Sequence, residues 1–290
     1  MSFRCFDISR LRCFDSSMFR GFDRKVTNKT REEQRKYHFL FCIVHAYSYL
    51  CNMEWEIIHI AETNSTNRWL HENRQQTANS QKAIAVCAEY QTAGRGCGTN
   101  QWESERGKNL LFSLLLHPEQ IHASRQFHIS MAVSLAITEA LGQFIGNLSI
   151  KWPNDIYWRN GKLAGILIEN TLQGTMIKDS IIGVGINVNQ QHFSSDAPNP
   201  VSIWQICERE TDREKLLHDI LNCLDHYLYH DIKQQYCSKL YRRQGFHPYT
   251  DKNGAFMAEI VDVADEGHLL LRDDNGKERR YAFKEVQFII

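Results

Sequence analysis

Hydrophobic and polar positions divide the chain into short blocks, each favouring one kind of element. WEIIHI (55–60) has strand length, and a helix is predicted over 67–77, behind Ser65-Thr66-Asn67. Serine, threonine and asparagine are the preferred helix caps, so that trio predicts a capped N-terminus. KAIAVCAEY (82–90) and NLLFSLLLH (109–117) are short apolar runs that read as strands. Over 125–146, Phe127, Met131, Leu135, Leu141 and Phe144–Ile145 fall at helical spacing and predict a stripe facing a core. LSIKWPND, IYW, KLAGILIEN and the run from Met176 to Val188 predict strands joined by tight turns such as Arg159-Asn160-Gly161. A single long helix is expected from Glu214 to Tyr241. Beyond 245, AFMAEIVDV, GHLLLRD and RRYAF predict short strands, with Asn275-Gly276 as a hairpin signal. The fold class expected is α/β (α+β), a larger body followed by a small all-β barrel.

The first 52 residues do not share this texture. FRCFDISR, LRCFDSSM and FRGFDRKV repeat head to tail every eight residues, a period shorter than the roughly twenty to fifty residues of stacked structural units. A polar stretch, TNKTREEQRK, and an aromatic-rich run, YHFLFCIVHAYSYLC, follow before Met53. That run is too short and too polar to span a bilayer, which needs roughly twenty apolar residues. Residues 1–52 are expected to be a dispensable extension, or to reflect a start placed upstream of Met53.

Charge and cysteine content change this picture little. The 290 residues carry 34 Lys+Arg and 34 Asp+Glu, so no net charge draws the whole chain to nucleic acid. The nine cysteines include no CxxC pair, and the histidines are plentiful but scattered. This predicts free thiols in a reducing compartment and no structural metal.

The chemistry is concentrated in three stretches. EYQTAGRGCGTNQW (89–102) sets Arg95 between Gly94 and Gly96, a segment with little side-chain bulk and a charge suited to an anion. KWPND contributes Lys151, Asn154 and Asp155. GKLAGILIE begins with Lys162, placed at the head of an apolar strand, where a lysine is rarely fully buried without an anionic partner. GVGIN (183–187) lacks the third glycine and following helix of a dinucleotide fingerprint, and no GxxxxGK[ST] is present. One arginine, two lysines, an aspartate and close-approach glycines suit an anionic small molecule together with a nucleotide phosphate.

AEYQTAGRG, KWPNDIYW and KLAGILIEN, in that order behind a Ser-Thr-Asn, resemble the biotin protein ligases, also called biotin–[acetyl-CoA-carboxylase] ligases. The resemblance covers roughly 55–290. It implies a mixed-sheet catalytic domain of the biotin/lipoate-ligase type over 53–244 and an SH3-like β-barrel over 245–290. It also implies activation of biotin with Mg-ATP to biotinyl-5′-AMP, then transfer to one lysine of a biotin carboxyl carrier domain of acetyl-CoA carboxylase or a related carboxylase. A cytoplasmic protein is implied, without membrane attachment, and a homodimer is left open.

By the same resemblance, Ser65, Thr66, Asn67 and Gln91 meet the biotin ring, and Gly94, Arg95, Gly96 and Cys97 lie over it. Lys162 bonds the carboxylate and then the α-phosphate, and Gly165 and Gly183 leave room for the ring. Asp155 orients or deprotonates the incoming lysine. Trp102, Lys151, Asn154, Ile166 and Asn187 serve the nucleotide, with Trp102 equally able to anchor its loop. No residue is assigned to a resident metal, since Mg2+ arrives with ATP.

Two departures stand out. Many relatives carry arginines where this chain has Cys97 and Asn100, and the helix-turn-helix domain of repressor-type members is missing, so DNA binding is not expected. Two rival readings are a lipoate–protein ligase of the same fold and a non-catalytic biotin-binding adaptor.

Overall fold

The computed structural model describes residues 53–74, 82–118, 120–194 and 199–290. The eight-residue repeats, the expected extension 1–52 and the last part of the helix expected over 67–77 lie outside them.

Strand β1 (Trp55–Ile60) pairs in parallel with β2 (Ala83–Ala88), after helix α1 (Thr66–Glu72). Every later pairing is antiparallel: β3 (Leu110–Leu116), β4 (Leu148–Lys151), β5 (Asp155–Trp158), β6 (Gly161–Gln173) and β7 (Met176–Ile186) complete a mixed sheet in the order β1-β2-β3-β7-β6-β5-β4. Both faces of its centre are covered, which is why β3 is buried at every position. On one face Leu70 of α1 packs on Ile84, Val86, Leu115 and Ile181. On the other, Phe112, Leu114, Ile182 and Val184 join the residues of α2 (Phe127–Gly142) and of α4 (Arg213–Leu228), which follows the short α3 (Ile203–Cys207).

The helix expected over 125–146 forms, but the stripe does not describe it. All of α2 except Glu139 and Gly142 is buried, because sheet, α4 and α5 (Lys233–Ser238) surround it. Each large aliphatic side chain so buried contributes about 1.5–3 kcal/mol. The single helix expected over Glu214–Tyr241 is two. Helix α4 ends at Leu228, and the chain turns before α5 so that Tyr236 is fully buried and its hydroxyl donates to the Pro153 carbonyl at 2.9 Å.

Five strands follow: β8 (His247–Asp251), β9 (Gly254–Val263), β10 (Leu269–Asp273), β11 (Glu278–Tyr281) and β12 (Val286–Phe288). They form an antiparallel sheet in the order β11-β10-β9-β8-β12. The Asn275-Gly276 hairpin joins β10 to β11 as the sequence predicts, whereas β8 and β12 carry no signal that periodicity detects. This sheet is fastened to the body. The indole of Trp152 donates to the Gly267 carbonyl at 2.9 Å, and the ring of Phe127 packs beneath Gly267. Among the described residues no helix is long and apolar enough to cross a membrane.

Gly267 has φ +95°, and a Cβ there would come within 2.6 Å of the Phe127 ring. Gly267→Ala is therefore expected to lower unfolding free energy by about 1–3 kcal/mol through strain and overpacking. Gly276→Ala, at φ +79° with open space around it, carries the backbone cost alone and should lose less in the same denaturant titration.

Asp225 fixes the start of the body by accepting from the Met53 amide at 3.1 Å and the Trp55 indole at 3.3 Å. Burial nevertheless dominates and pushes its carboxyl up to about 6. With the folded value above the unfolded one, the native state binds the extra proton, so stability falls as pH rises from about 4 to about 6. Asp225→Asn should flatten the melting temperature across that window; an unchanged slope would show that another group sets it.

Candidate active site

A cavity of about 1020 Å³ opens above the α1 face of the large sheet. Its floor is built from strand register. One cross-strand row runs Leu111, Gly185, Gly165, Asp155, Lys151, and a second runs Ser113, Gly183, Leu167. Residues paired across strands share a face, so three glycines leave the middle of this face without side chains. Other groups occupy that room. A Cβ at Gly183 would strike the Asn67 amide, and one at Gly185 would strike the Trp102 indole. At Gly165 it would lie 3.0 Å from the Trp102 ring and 3.3 Å from the Lys162 side chain.

Lys162 reaches this face through a bulge. Ile156 pairs with Ala164 and Tyr157 with Lys162, leaving Leu163 as an extra residue in β6. The extra residue reverses the alternation, as bulges beside functional sites commonly do. Lys162 therefore shares a side with Asp155 and Tyr157, and its Nζ lies 2.8 Å from Asp155 Oδ2. This is the anionic partner its position required. Lys151 sits farther along the same row, 5.2 Å from the Tyr157 ring and 5.4 Å from that of Phe288. Burial lowers its pKa below the usual lysine range.

The helix start is held differently from the sequence expectation. Ser65 occupies the N-cap position in extended conformation, but its side chain makes no capping bond. Gln91 substitutes from the far loop, its Oε1 accepting from the Thr66 amide at 2.7 Å and the Thr66 hydroxyl at 3.1 Å. Ser113, the one polar side chain of β3, lies within 2.6 Å of both Thr66 Oγ1 and Asn67 Oδ1. Asn67 donates in turn to Glu169 at 2.8 Å. Thr66 and Asn67 are thus spent on a buried polar network because α1 lies directly over the glycine floor.

The glycine loop is a small hairpin. Trp102 donates to Gly94 at 2.9 Å, Arg95 pairs with Gln101, and Gly96 donates to Asn100 at 2.8 Å. Gly94 admits this close approach, since a Cβ there would be 2.5 Å from the Trp102 carbonyl. The Arg95 guanidinium lies 3.4 Å from Glu169. Among the described residues the buried Trp102 Nε1 has no hydrogen-bond partner.

Ser65, Thr66, Asn67, Gln91, Arg95, Gly96, Cys97, Lys162, Gly165 and Gly183 all line the cavity, as do Trp102, Lys151, Asn154, Asp155, Ile166 and Asn187. Gly94 does not. Two of the amides brought there are already engaged: Asn154 donates to the Ile166 carbonyl at 2.6 Å, and Asn187 to those of Val201 at 3.2 Å and Lys162 at 3.4 Å. Sequence reasoning missed Gly185, Leu167 and the C-terminal lining by Phe283, Lys284 and Phe288. It also missed Ser113 and Glu169 behind the wall. A lone serine within LLFSLLL was the available signal for Ser113. Among the described residues no three His, Cys, Asp or Glu side chains form a metal-binding group.

Cationic groups facing a bare, half-enclosed floor suit a planar or ring-shaped molecule bearing an anionic tail. Residues 60–187 match the biotin/lipoate A/B protein ligase family. The chain is 30% identical over 241 residues to the bifunctional ligase/repressor BirA of Bacillus subtilis, covering 75% of this chain and 70% of the relative. It is 29% identical over 209 residues to the biotin–[acetyl-CoA-carboxylase] ligase of Paracoccus denitrificans, covering 67% of this chain and 85% of that protein. The fold is similar to that of the Aquifex aeolicus biotin protein ligase in complex with biotin and ATP, with a TM-score of 0.67, 25% identity, and coverage of 81% of this chain and 99% of the other.

Ser113→Ala removes a hydroxyl shared by two buried partners, and an unmet buried polar atom costs about 1–3 kcal/mol. That loss should appear in chemical denaturation; a change below about 0.5 kcal/mol would mean that Thr66 and Asn67 do not depend on it.

Proposed function

The chain belongs to the biotin/lipoate A/B protein ligase family, on its biotin–protein ligase side, and from that premise we propose how its cavity divides the work. The protein is an enzyme: it activates biotin with ATP and transfers it to a biotin carboxyl carrier domain of a carboxylase. The observation that carries the assignment of roles is the Lys162–Asp155 pair on a floor cleared of side chains.

In the first step a carboxylate oxygen of biotin attacks the α-phosphorus of ATP. The bond to the β-phosphate oxygen breaks, pyrophosphate leaves, and a mixed anhydride forms. Lys162 supports this step by bonding the carboxylate and then the α-phosphate, where negative charge concentrates. Arg95 and Lys151 add positive charge on either side, and Trp102 offers its indole face and unused N–H to the nucleotide. Thr66, Asn67 and Gln91 hold the polar ring atoms of biotin, while Ser65, Gly96 and Cys97 close around it. Gly94 contributes through loop closure. In the second step the carrier amine attacks the acyl carbon and AMP departs. Asp155, no longer paired once Lys162 engages phosphate, orients the amine and takes its proton.

Mg2+ enters bound to the ATP phosphates. The five described cysteines are all free, which suits the reducing cytoplasm we propose for it. A homodimer is part of this reading only as a state to be measured, for example by sedimentation.

The test incubates the protein with Mg-ATP, labelled biotin or labelled lipoate, and a carrier domain. Label should reach the carrier with biotin alone. Transfer of lipoate, or biotin bound without transfer, would overturn the reading. Lys162→Ala should slow adenylate formation at least about a hundredfold, or about 2.7 kcal/mol in barrier height, and weaken biotin binding less. A variant near wild type in both steps would remove Lys162 from the mechanism.

A further inference from the structure

We propose that Lys284, from the turn between β11 and β12, supplies a phosphate-binding cation over the glycine loop beyond the Arg95 that the loop itself carries. The proposal rests on the ligase reading and concerns its nucleotide.

The loop offers little free positive charge. Arg95 faces Glu169 at 3.4 Å, and the nearby Cys97 and Asn100 are neutral. Lys284 crosses to the loop from the C-terminal sheet. Its ammonium lies so close to Gly98 that a Cβ on that residue would collide with it, and it lines the same cavity as Cys97, Arg95 and Asn100. It is also unneutralised. Among the described residues no carboxylate pairs with it. The adjacent Glu285 carboxylate instead accepts from the Ala282 amide at 2.7 Å. Its Nζ also lies 5.8 Å from the centroid of the Phe283 ring.

The backbone beneath it is the second observation. Glu285 donates to the Ala282 carbonyl at 3.1 Å, closing a four-residue turn with Lys284 at its third position. There φ is +71°, a left-handed conformation that glycine fills at no steric cost and that a long side chain rarely adopts. Folding alone favours glycine at this place. A lysine held there against that preference, unpaired and over the mouth of a nucleotide-sized cavity, is placed for charge. Lysine acts as a point charge toward phosphate and needs no planar docking surface. With nucleotide bound, Lys284 contacts the phosphates from the side opposite Lys162 and joins the loop to the C-terminal sheet through the ligand.

Lys284→Gly separates this role from a structural one, because it removes the cation and relieves the backbone together. We expect a melting temperature equal to or above wild type and unchanged biotin affinity without nucleotide. The KM for ATP in biotin-dependent pyrophosphate release should rise at least about tenfold, the scale of one lost charge-assisted contact. Cys97→Arg in the Lys284→Gly background, which returns a cation to the loop, should recover most of that loss. An ATP KM within twofold of wild type would overturn the proposal, as would an equal rise in the biotin dissociation constant or a lowered melting temperature with no rescue. Wild-type protein is assayed alongside. If it forms no biotinyl adenylate, the ligase reading fails and this proposal with it; if it is active while Lys284→Gly matches it, only this proposal fails.

Discussion

Three glycines on two neighbouring strands set the terms for everything else in the cavity. Gly165 and Gly185 are cross-strand partners, and Gly183 lies two residues from Gly185 on the same face. Any side chain at these positions would enter the space now used by Asn67, Trp102 and Lys162. The helix carrying Asn67 can approach the sheet only because Gly183 is bare, and that approach brings Thr66 to Ser113 and Gln91. Glycine weakens a strand interior, and here the loss is offset by burying both faces of the surrounding sheet. The large apolar cluster shared with α2 and α4 lies behind the floor, so packing there holds the strands flat while the front stays open.

A floor of this kind also makes charge effective. Lys162 and Asp155 have about a quarter to a third of their side-chain surface exposed, 30% and 24%, so their attraction is screened less than a surface pair's would be. Their mutual pairing holds the two side chains together while no ligand competes. In the proposed mechanism an incoming phosphate would offer Lys162 a stronger anion and leave the Asp155 carboxylate to the second nucleophile, so that one pair would serve both half-reactions.

Much of this was legible beforehand, and the gaps have identifiable causes. Strands with clean boundaries such as WEIIHI were found because apolar runs of that length admit few alternatives. The motif residues were found through glycine content and misplaced charge. The bulge at Leu163 was invisible: strict alternation puts Lys162 and Gly165 on opposite faces, and only the pairing with Tyr157 reverses it. The capping role expected of Ser65-Thr66-Asn67 was displaced by Gln91, a partner 25 residues away that no local pattern can supply. The two-helix form of 213–238 was hidden because Tyr229 to Ile232 keep a helix-compatible composition while the chain turns to bury Tyr236. Phe283, Lys284 and Phe288 were missed because a turn followed by a strand of three residues has no period to detect.

The groups we propose to read the ring and those we propose to hold phosphate obey different geometric rules, and this bears on where each sits in the chain. Hydrogen bonds to polar ring atoms are directional and lose most of their value when the donor is misaligned. Thr66, Asn67 and Gln91 are accordingly locked to one another and to β3 by short bonds, and cannot be exchanged for groups from another segment without rebuilding that network. Attraction between an ammonium and a phosphate falls off slowly with distance and tolerates wide changes of angle. A phosphate-binding cation can therefore come from any segment whose side chain reaches the mouth, including a sheet more than a hundred residues further along. In the proposed arrangement Lys284 supplies from the overhanging turn a cation that Cys97 and Asn100 do not, and Gly98, at φ +72°, leaves room for its ammonium.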